Sequence, residues 1–142
     1  MNYNFIDLFA GAGGLSEGFI KSGFEPVAHI EMDRSACKTL KTRAAFHYLR
    51  KKKKLHIYNS YLKGEISRED LYKEIPKSIL NSIINKTIGE ENNKEIQEKI
   101  DLRLRSENVD LIIGGPPCQA YSLAGRSRSE TKMKDDPRNF LF

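Results

Sequence analysis

Blocks of apolar and polar positions alternate along the first third of the chain and predict strands and helices in turn. Residues 4–10 are apolar, aromatic and branched, which indicates a buried strand, and residues 26–31 predict a second strand. Residues 15–22 lie between them and carry apolar side chains at helical spacing. A second helix is predicted over residues 33–49, with Asp33 as its N-terminal cap.

The middle of the chain, from about residue 50 to 108, has a different pattern. Glycine is scarce, charge is dense, and the basic run over residues 50–54 is typical of a solvated face. Two apolar stripes at helical spacing follow. We therefore expect a helical insertion or an elongated crossover here. The first stripe comprises Ile75, Ile79, Leu80, Ile83 and Ile84, and the second comprises Ile96, Ile100 and Leu104.

A strand pattern returns at residues 109–113 and ends abruptly at a Gly-Gly-Pro-Pro turn. The next twenty residues, 118–137, are polar and predict a loop. Strand, glycine-rich turn, helix, strand, helix and later strand together predict a parallel α/β sheet of the doubly wound type. Functional residues of such sheets collect at the carboxyl ends of the strands.

Composition restricts the function classes without choosing among them. The 142 residues fit one domain, and a formal charge of +5 is compatible with a polyanionic partner. No apolar run approaches the roughly 20 residues of a membrane span, and no signal peptide is recognisable, so we expect a cytoplasmic protein without a membrane partner. The three histidines and two cysteines show no ligand spacing, so no metal site is predicted.

A glycine turn sits where the first strand meets the first helix. Its glycines would let a ligand approach the backbone, and Glu31 at the end of the next strand suits a carboxylate that accepts ribose hydroxyls. Met32 offers an apolar face to an adenine ring. Ser16 breaks the dinucleotide fingerprint, so the pattern indicates an adenosine-containing ligand; the alternative is a turn that merely closes the strand–helix corner. The turn glycines are Gly11, Gly13 and Gly14.

A second candidate turn places one cysteine after two prolines. Pro116 and Pro117 restrict the backbone just before Cys118, as the positioning of a nucleophile requires. The thiolate is the reactive form, and nearby basic residues favour it. Cys37 fits a different role, that of a small buried hydrophobe on the second helix.

Four motifs in order resemble those of the cytosine-5 DNA methyltransferase family. Residues 7–15 resemble its first motif, Glu31 and Met32 its second, residues 115–119 its catalytic Pro-Cys motif, and residues 136–142 the motif after the loop. The resemblance implies a Rossmann-like fold that binds S-adenosylmethionine, incomplete in this chain. It further implies that Cys118 attacks carbon 6 of cytosine, which makes carbon 5 nucleophilic enough to accept the methyl group.

The same resemblance assigns binding roles to further residues. The S-adenosylmethionine pocket would be formed by Phe9, Gly11, Gly13, Gly14, Leu15, Glu31, Met32, Pro117 and Leu141. Double-stranded DNA would be contacted near the flipped base by Gln119, Ser122, Arg126 and Arg128, and the alternative for the two arginines is a solvated loop. The family's third cofactor motif, which supplies an Asp near the adenine amino group, has only a weak candidate in Asn59.

The resemblance covers only the N-terminal part of such an enzyme. The family's Glu-Asn-Val motif, its arginine motif, its target-recognition domain and its final helix have no counterpart in these residues, so we expect little or no methyl transfer by the chain alone. A missing C-terminal portion or a second chain is the expected partner. The modification enzyme of a restriction system is the leading interpretation; the alternatives are a cytosine-5 RNA methyltransferase of the tRNA-directed type and a non-catalytic cofactor-binding subunit of a split enzyme.

Overall fold

A computed structural model describes residues 3–105 and 108–116 of the chain. These residues contain four strands and six helices, and four of the helices follow one another between the second and third strands. In chain order they are β1 (Asn4–Leu8), α1 (Gly14–Lys21), β2 (Glu25–Glu31), α2 (Arg34–Lys51), α3 (Leu55–Leu62), α4 (Arg68–Lys73), α5 (Lys77–Leu80), β3 (Ile83–Asn85), α6 (Glu90–Leu104) and β4 (Leu111–Gly114).

The described strands form one parallel sheet in the order β3-β2-β1-β4. Leu8 at the end of β1 lies opposite Ile30 of β2 on one side and Gly114 of β4 on the other. The chain thus adds strands outward from β1 in one direction and then crosses to its other side. This confirms the predicted parallel α/β architecture and puts a topological switch point, where such folds bind ligands, between β1 and β4.

Helices cover both faces of the sheet. α1 and α2 lie on one face, where the rings of Phe5 and Phe19 pack 5.7 Å apart. α6 lies on the other face, and its Ile96 joins a cluster with Ile6 and Ile30. Burial on both faces explains why consecutive apolar residues, such as Phe5 and Ile6 of β1 and Ile83 and Ile84 of β3, occur in these strands.

Strand β3 corrects the expectation that the middle of the chain is helical throughout. Ile83 and Ile84 were expected to continue a helical stripe, but they are consecutive residues of a strand paired with β2. Ile83 packs beneath α2 and Ile84 packs beneath α6. A short apolar run buried on both faces has no period that distinguishes it from a buried helix segment.

The rest of the middle segment builds a helical layer against α2. Leu71 of α4 and Ile75 are fully or almost fully buried with Ala45 and Leu49 of α2. α2 itself begins as predicted, because the Asp33 side chain accepts a hydrogen bond from the Ala36 N–H at 2.6 Å. None of the helices in the described part of the chain is both long and apolar enough to cross a bilayer.

Candidate functional site

The turn after β1 is built from left-handed backbone. Phe9, Gly11 and Gly13 have φ values of 57°, 54° and 84°. Glycine is favoured at Gly13, because its φ is left-handed and a Cβ there would lie 2.8 Å from Cδ2 of Leu40. The absence of that Cβ lets the start of α1 pack closely against α2.

Glu31, at the carboxyl end of β2, ties this turn to the next one. Its Oε2 accepts a hydrogen bond from the Gly11 N–H and its Oε1 accepts one from the Asp33 N–H, each at 2.7 Å. A carboxylate has about four lone-pair sites, so both oxygens keep acceptor capacity beyond these bonds. One half-buried negative charge therefore organises the edge where the two strands end.

Asn85 extends the same edge from β3. Its side-chain amide donates hydrogen bonds to the carbonyl oxygens of Glu31 and Met32, at 3.0 and 2.8 Å. Sequence reasoning missed this residue because β3 was not recognised; the signal was the first polar residue after the apolar pair at positions 83 and 84. Asn59, the weak sequence candidate for the third cofactor motif, lies instead within α3.

Asp7 is a buried residue of β1 that bonds to the start of the helix after the glycine turn. This β1 residue is 1% exposed, and its Oδ2 accepts a hydrogen bond from the Ser16 hydroxyl of α1. Burial raises the pKa of Asp7, the Ser16 bond opposes the rise, and the charge of Glu31 adds to it. The bond fastens the first turn of α1 to the central strand, a role that the sequence motif alone did not suggest.

Apolar side chains stand exposed around this polar edge. Met32 is 65% exposed and Leu15 is 49% exposed, both high values for large hydrophobic residues. A Cβ added at Gly11 or Gly14 would meet no described atom within 4 Å, so the backbone is open to approach from outside. Open glycines, a carboxylate and apolar surface together suit a ligand with a ribose and a flat ring.

Strand β4 ends at the same edge of the sheet, opposite the last residue of β1. A Cβ at Gly114 would lie 2.6 Å from the carbonyl oxygen of Leu8, so glycine lets β4 pair tightly with β1 up to its last residue. Gly115 and Pro116 then leave the sheet beside the glycine turn. The described part of the turn therefore starts at the switch point.

Comparison with known protein families matches these features to one family. The model of the C-5 cytosine-specific DNA methylases matches residues 3–67 and 71–142, which is nearly the whole chain. The chain belongs to this family. The middle segment of this methylase chain carried no recognisable motif, yet the family model matches all of it except residues 68–70.

Three relatives of the methylase chain are type II methyltransferases. M.Bpa9945I of Bacillus paralicheniformis is 40% identical over 157 residues, covering 96% of this chain and 35% of that protein. M1.HphI of Haemophilus parahaemolyticus is 29% identical over 142 residues, covering 100% of the chain and 27% of that protein. M.AquIA of Picosynechococcus sp. is 29% identical over 144 residues, covering 99% of the chain and 41% of that protein. The chain thus spans about a third of the length of these relatives, and no solved structure matches it significantly.

The structure brings one group of predicted site residues of the methylase chain together. At the carboxyl ends of β1 and β2 lie Phe9, Gly11, Gly13, Gly14, Leu15, Glu31 and Met32. The remaining predicted residues lie outside the described part of the chain: Pro117, Cys118, Gln119, Ser122, Arg126, Arg128 and Leu141. Within the described residues, no three His, Cys, Asp or Glu side chains are grouped so as to hold a metal ion.

Proposed function

We propose that this chain supplies the cofactor-binding and nucleophile-bearing part of an enzyme that transfers a methyl group to carbon 5 of cytosine in DNA. The observation that carries the proposal is the link between Glu31 and the Gly11 N–H, in a chain that belongs to the C-5 cytosine-specific DNA methylases. This hydrogen bond joins the glycine turn, which belongs to the first family motif, to Glu31, which belongs to the second.

The cofactor proposed is S-adenosylmethionine, which supplies the activated methyl group when bound. Glu31 would accept the ribose hydroxyls with its remaining lone pairs, and the exposed Met32 would lie against adenine. Asn85, which donates a hydrogen bond to the Met32 carbonyl, would fill the role of the third cofactor motif near the adenine amino group. The pocket wall would be completed by Phe9, Gly11, Gly13, Gly14, Leu15, Pro117 and Leu141.

The nucleophile proposed is Cys118. Its thiolate would add to carbon 6 of cytosine, and the resulting electron density at carbon 5 would take the methyl group. Loss of the carbon-5 proton then expels the thiolate and restores the aromatic ring. Because the target carbon is stacked inside duplex DNA, the base must first leave the stack, at a cost of a few kcal/mol. DNA would be held by Gln119, Ser122, Arg126 and Arg128.

The whole reaction needs more protein than these residues provide. Since the chain spans about a third of its relatives' length, we propose that a further C-terminal portion or a second chain contributes the target-recognition elements. Alone, the chain is expected to bind cofactor and to show little or no methyl transfer. We place the complete enzyme in the cytoplasm as the modification partner of a restriction system.

Cofactor binding can be tested on the chain by itself. Calorimetric titration with S-adenosylhomocysteine should show one saturable site that adenosine diphosphate does not compete for effectively. Stronger binding of a nicotinamide or flavin dinucleotide would contradict the proposal.

Catalysis can be tested in a chimera in which this chain replaces the matched third of M.Bpa9945I. We expect the chimera to methylate cytosine in duplex DNA and to be trapped covalently on DNA that carries 5-fluorocytosine, whose fluorine cannot leave as a proton does. Cys118→Ser should abolish both signals, with Cys37→Ser as the matched control. Retained transfer in Cys118→Ser, or preference for tRNA over DNA in a competition assay, would refute this assignment.

A further inference from the structure

A cleft separate from Glu31 and Met32 lies between α1 and α2. Its volume is about 700 Å³, within the range of roughly 300–1,000 Å³ typical of small-molecule sites. Its walls are mostly apolar, and His29 of β2 lies among its lining residues. The apolar part of the lining comprises Ile20, Phe24, Pro26, Leu40, Ala44 and Ile79.

His29 is a buried polar group without a side-chain partner. It is 5% exposed, and its Nδ1 has no hydrogen-bond partner among the described atoms. Burial lowers the pKa of His29 to about 4, with the charges of Arg103 and His47 contributing, so the ring is neutral near pH 7. A neutral imidazole offers one donor and one acceptor, and leaving either unpaired in an apolar site is costly.

One end of the cleft is closed by a polar network between the two helices. Glu17 of α1 contacts His47 at 2.9 Å and Arg43 at 3.3 Å, both on α2. The Nδ1 of His47 is likewise buried with no hydrogen-bond partner among the described atoms. The Glu17 carboxylate is therefore neutralised within the protein and leaves little negative charge for a ligand to meet.

The other end carries surplus positive charge. Glu25 there pairs with Lys51 at 3.0 Å. Arg50, Lys52 and Arg103 also line the cleft, and none of the three has a carboxylate within 4.0 Å among the described residues. Arg103 is anchored by donating to the carbonyl oxygens of Val27 and Ser78, which uses two of its five N–H groups. The cleft therefore combines apolar walls, a neutral imidazole and a basic end.

We propose that this cleft is a second small-molecule site, which binds an aromatic anion with its ring between α1 and α2 and its acidic group at the Arg50–Lys52 end. A hydrogen-bonding atom on the ring would contact the edge of the His29 imidazole that lines the cleft. Both helices begin at the cofactor edge, since α1 starts at the glycine turn and α2 follows the turn after Glu31. An occupant would therefore contact the two elements that shape that edge, including Gly13 of the glycine turn, without touching Glu31 or Met32.

The three histidines of the chain provide an internal control for a test by nitrogen NMR of histidine-labelled protein. The probe is anilinonaphthalene sulfonate, an aromatic sulfonate. We expect saturable shifts of the ring nitrogens of His29 and His47, while those of His56, an exposed residue of α3 outside the cleft, stay unchanged. Shifts of all three rings, of His56 alone or of none would overturn the proposal, and so would displacement of the probe by S-adenosylhomocysteine.

A cleft-filling variant supplies a second readout. Ala44→Phe should weaken binding of the probe by roughly tenfold or more, because the added ring occupies the space between the helices. Gln97→Phe, on α6 at the opposite face of the sheet, is the matched control and should leave the affinity unchanged. Equal affinity of the two variants would overturn the proposal; if Ala44→Phe does not fold, the histidine pattern of the unaltered chain decides.

Discussion

The backbone N–H of Gly11 donates a hydrogen bond of 2.7 Å to the carboxylate of Glu31, twenty residues further along the chain. The bond joins the turn after β1 to the end of β2. It orients the backbone N–H of the glycine turn toward the Glu31 carboxylate. Charge-assisted bonds of this kind are roughly twice as strong as neutral ones. The turn is consequently held in place by the protein itself, which would lower the entropy cost of binding the proposed cofactor.

Glu31→Gln tests this arrangement. The amide of glutamine keeps only one acceptor oxygen and would turn a donor toward Gly11 or Asp33. We expect the affinity for S-adenosylhomocysteine to fall about ten- to hundredfold, in line with the roughly 1.5–3 kcal/mol of a hydrogen bond to a charged group. Glu25→Gln, on the same strand but exposed, is the control for a calorimetric titration. Unchanged affinity in Glu31→Gln would remove Glu31 from the site.

The first and last of the described strands were predictable because glycine residues mark where each of them stops. β1 ends at Leu8, shortly before the glycine turn, and β4 ends at Gly114; both strands lie close to their predicted positions. β3 was not predictable, since Ile83 and Ile84 face opposite layers and so show neither the period of a helix nor that of an exposed strand. Because β3 was not predicted, Asn85 at its carboxyl end was not identified as a candidate site residue either.

Other features depend on distances that no local pattern encodes. Asp7 lies inside a recognisable motif, but its hydrogen bond to Ser16 exists only because α1 folds back over β1. The cleft around His29 likewise depends on how far apart α1 and α2 lie. Sequence reasoning therefore pointed to residues at the edge where β1 and β2 end, and their role in cofactor binding stays a prediction. It could not predict the hydrogen bond between Asp7 and Ser16 or the cleft around His29.

Gly13→Ala should destabilise the protein, while Gly14→Ala should not. The left-handed φ of 84° at Gly13 costs a residue with a Cβ roughly 1–2 kcal/mol, and the Leu40 side chain must also shift. Gly14 opens α1 with open space around its Cβ position, so alanine there should be neutral or stabilise by up to about 1 kcal/mol. Urea unfolding of both variants gives the comparison, and equal midpoints would contradict the strain argument.

Gly114→Ala tests the close approach of β4 to β1. The new Cβ would lie 2.6 Å from the backbone oxygen of Leu8, which cannot rotate away as a side chain can. We expect a loss of roughly 1–3 kcal/mol of unfolding free energy as β4 moves outward. The chimera carrying this change should also lose methyl transfer, since the strand leads to Cys118. Gly115→Ala, whose Cβ would meet no described atom within 4 Å, is the control; equal stability of the two variants would show that the strands are not so tightly paired.

His29 should make stability depend on pH between about 4 and 6.5. Burial lowers its pKa from an ordinary 6.5 to about 4, with Arg103 and His47 as further causes, so over this range the unfolded chain binds a proton that the folded chain excludes. The stabilisation is fully present above pH 6.5 and is lost as the pH falls toward 4, by an amount on the order of 3 kcal/mol. Urea midpoints measured from pH 4 to 7.5 should fall accordingly. The fall should be much smaller in His29→Gln and unchanged in the control His56→Gln, which alters an exposed histidine. If the His29→Gln chain kept the full pH dependence, that dependence would have to come from other titratable groups.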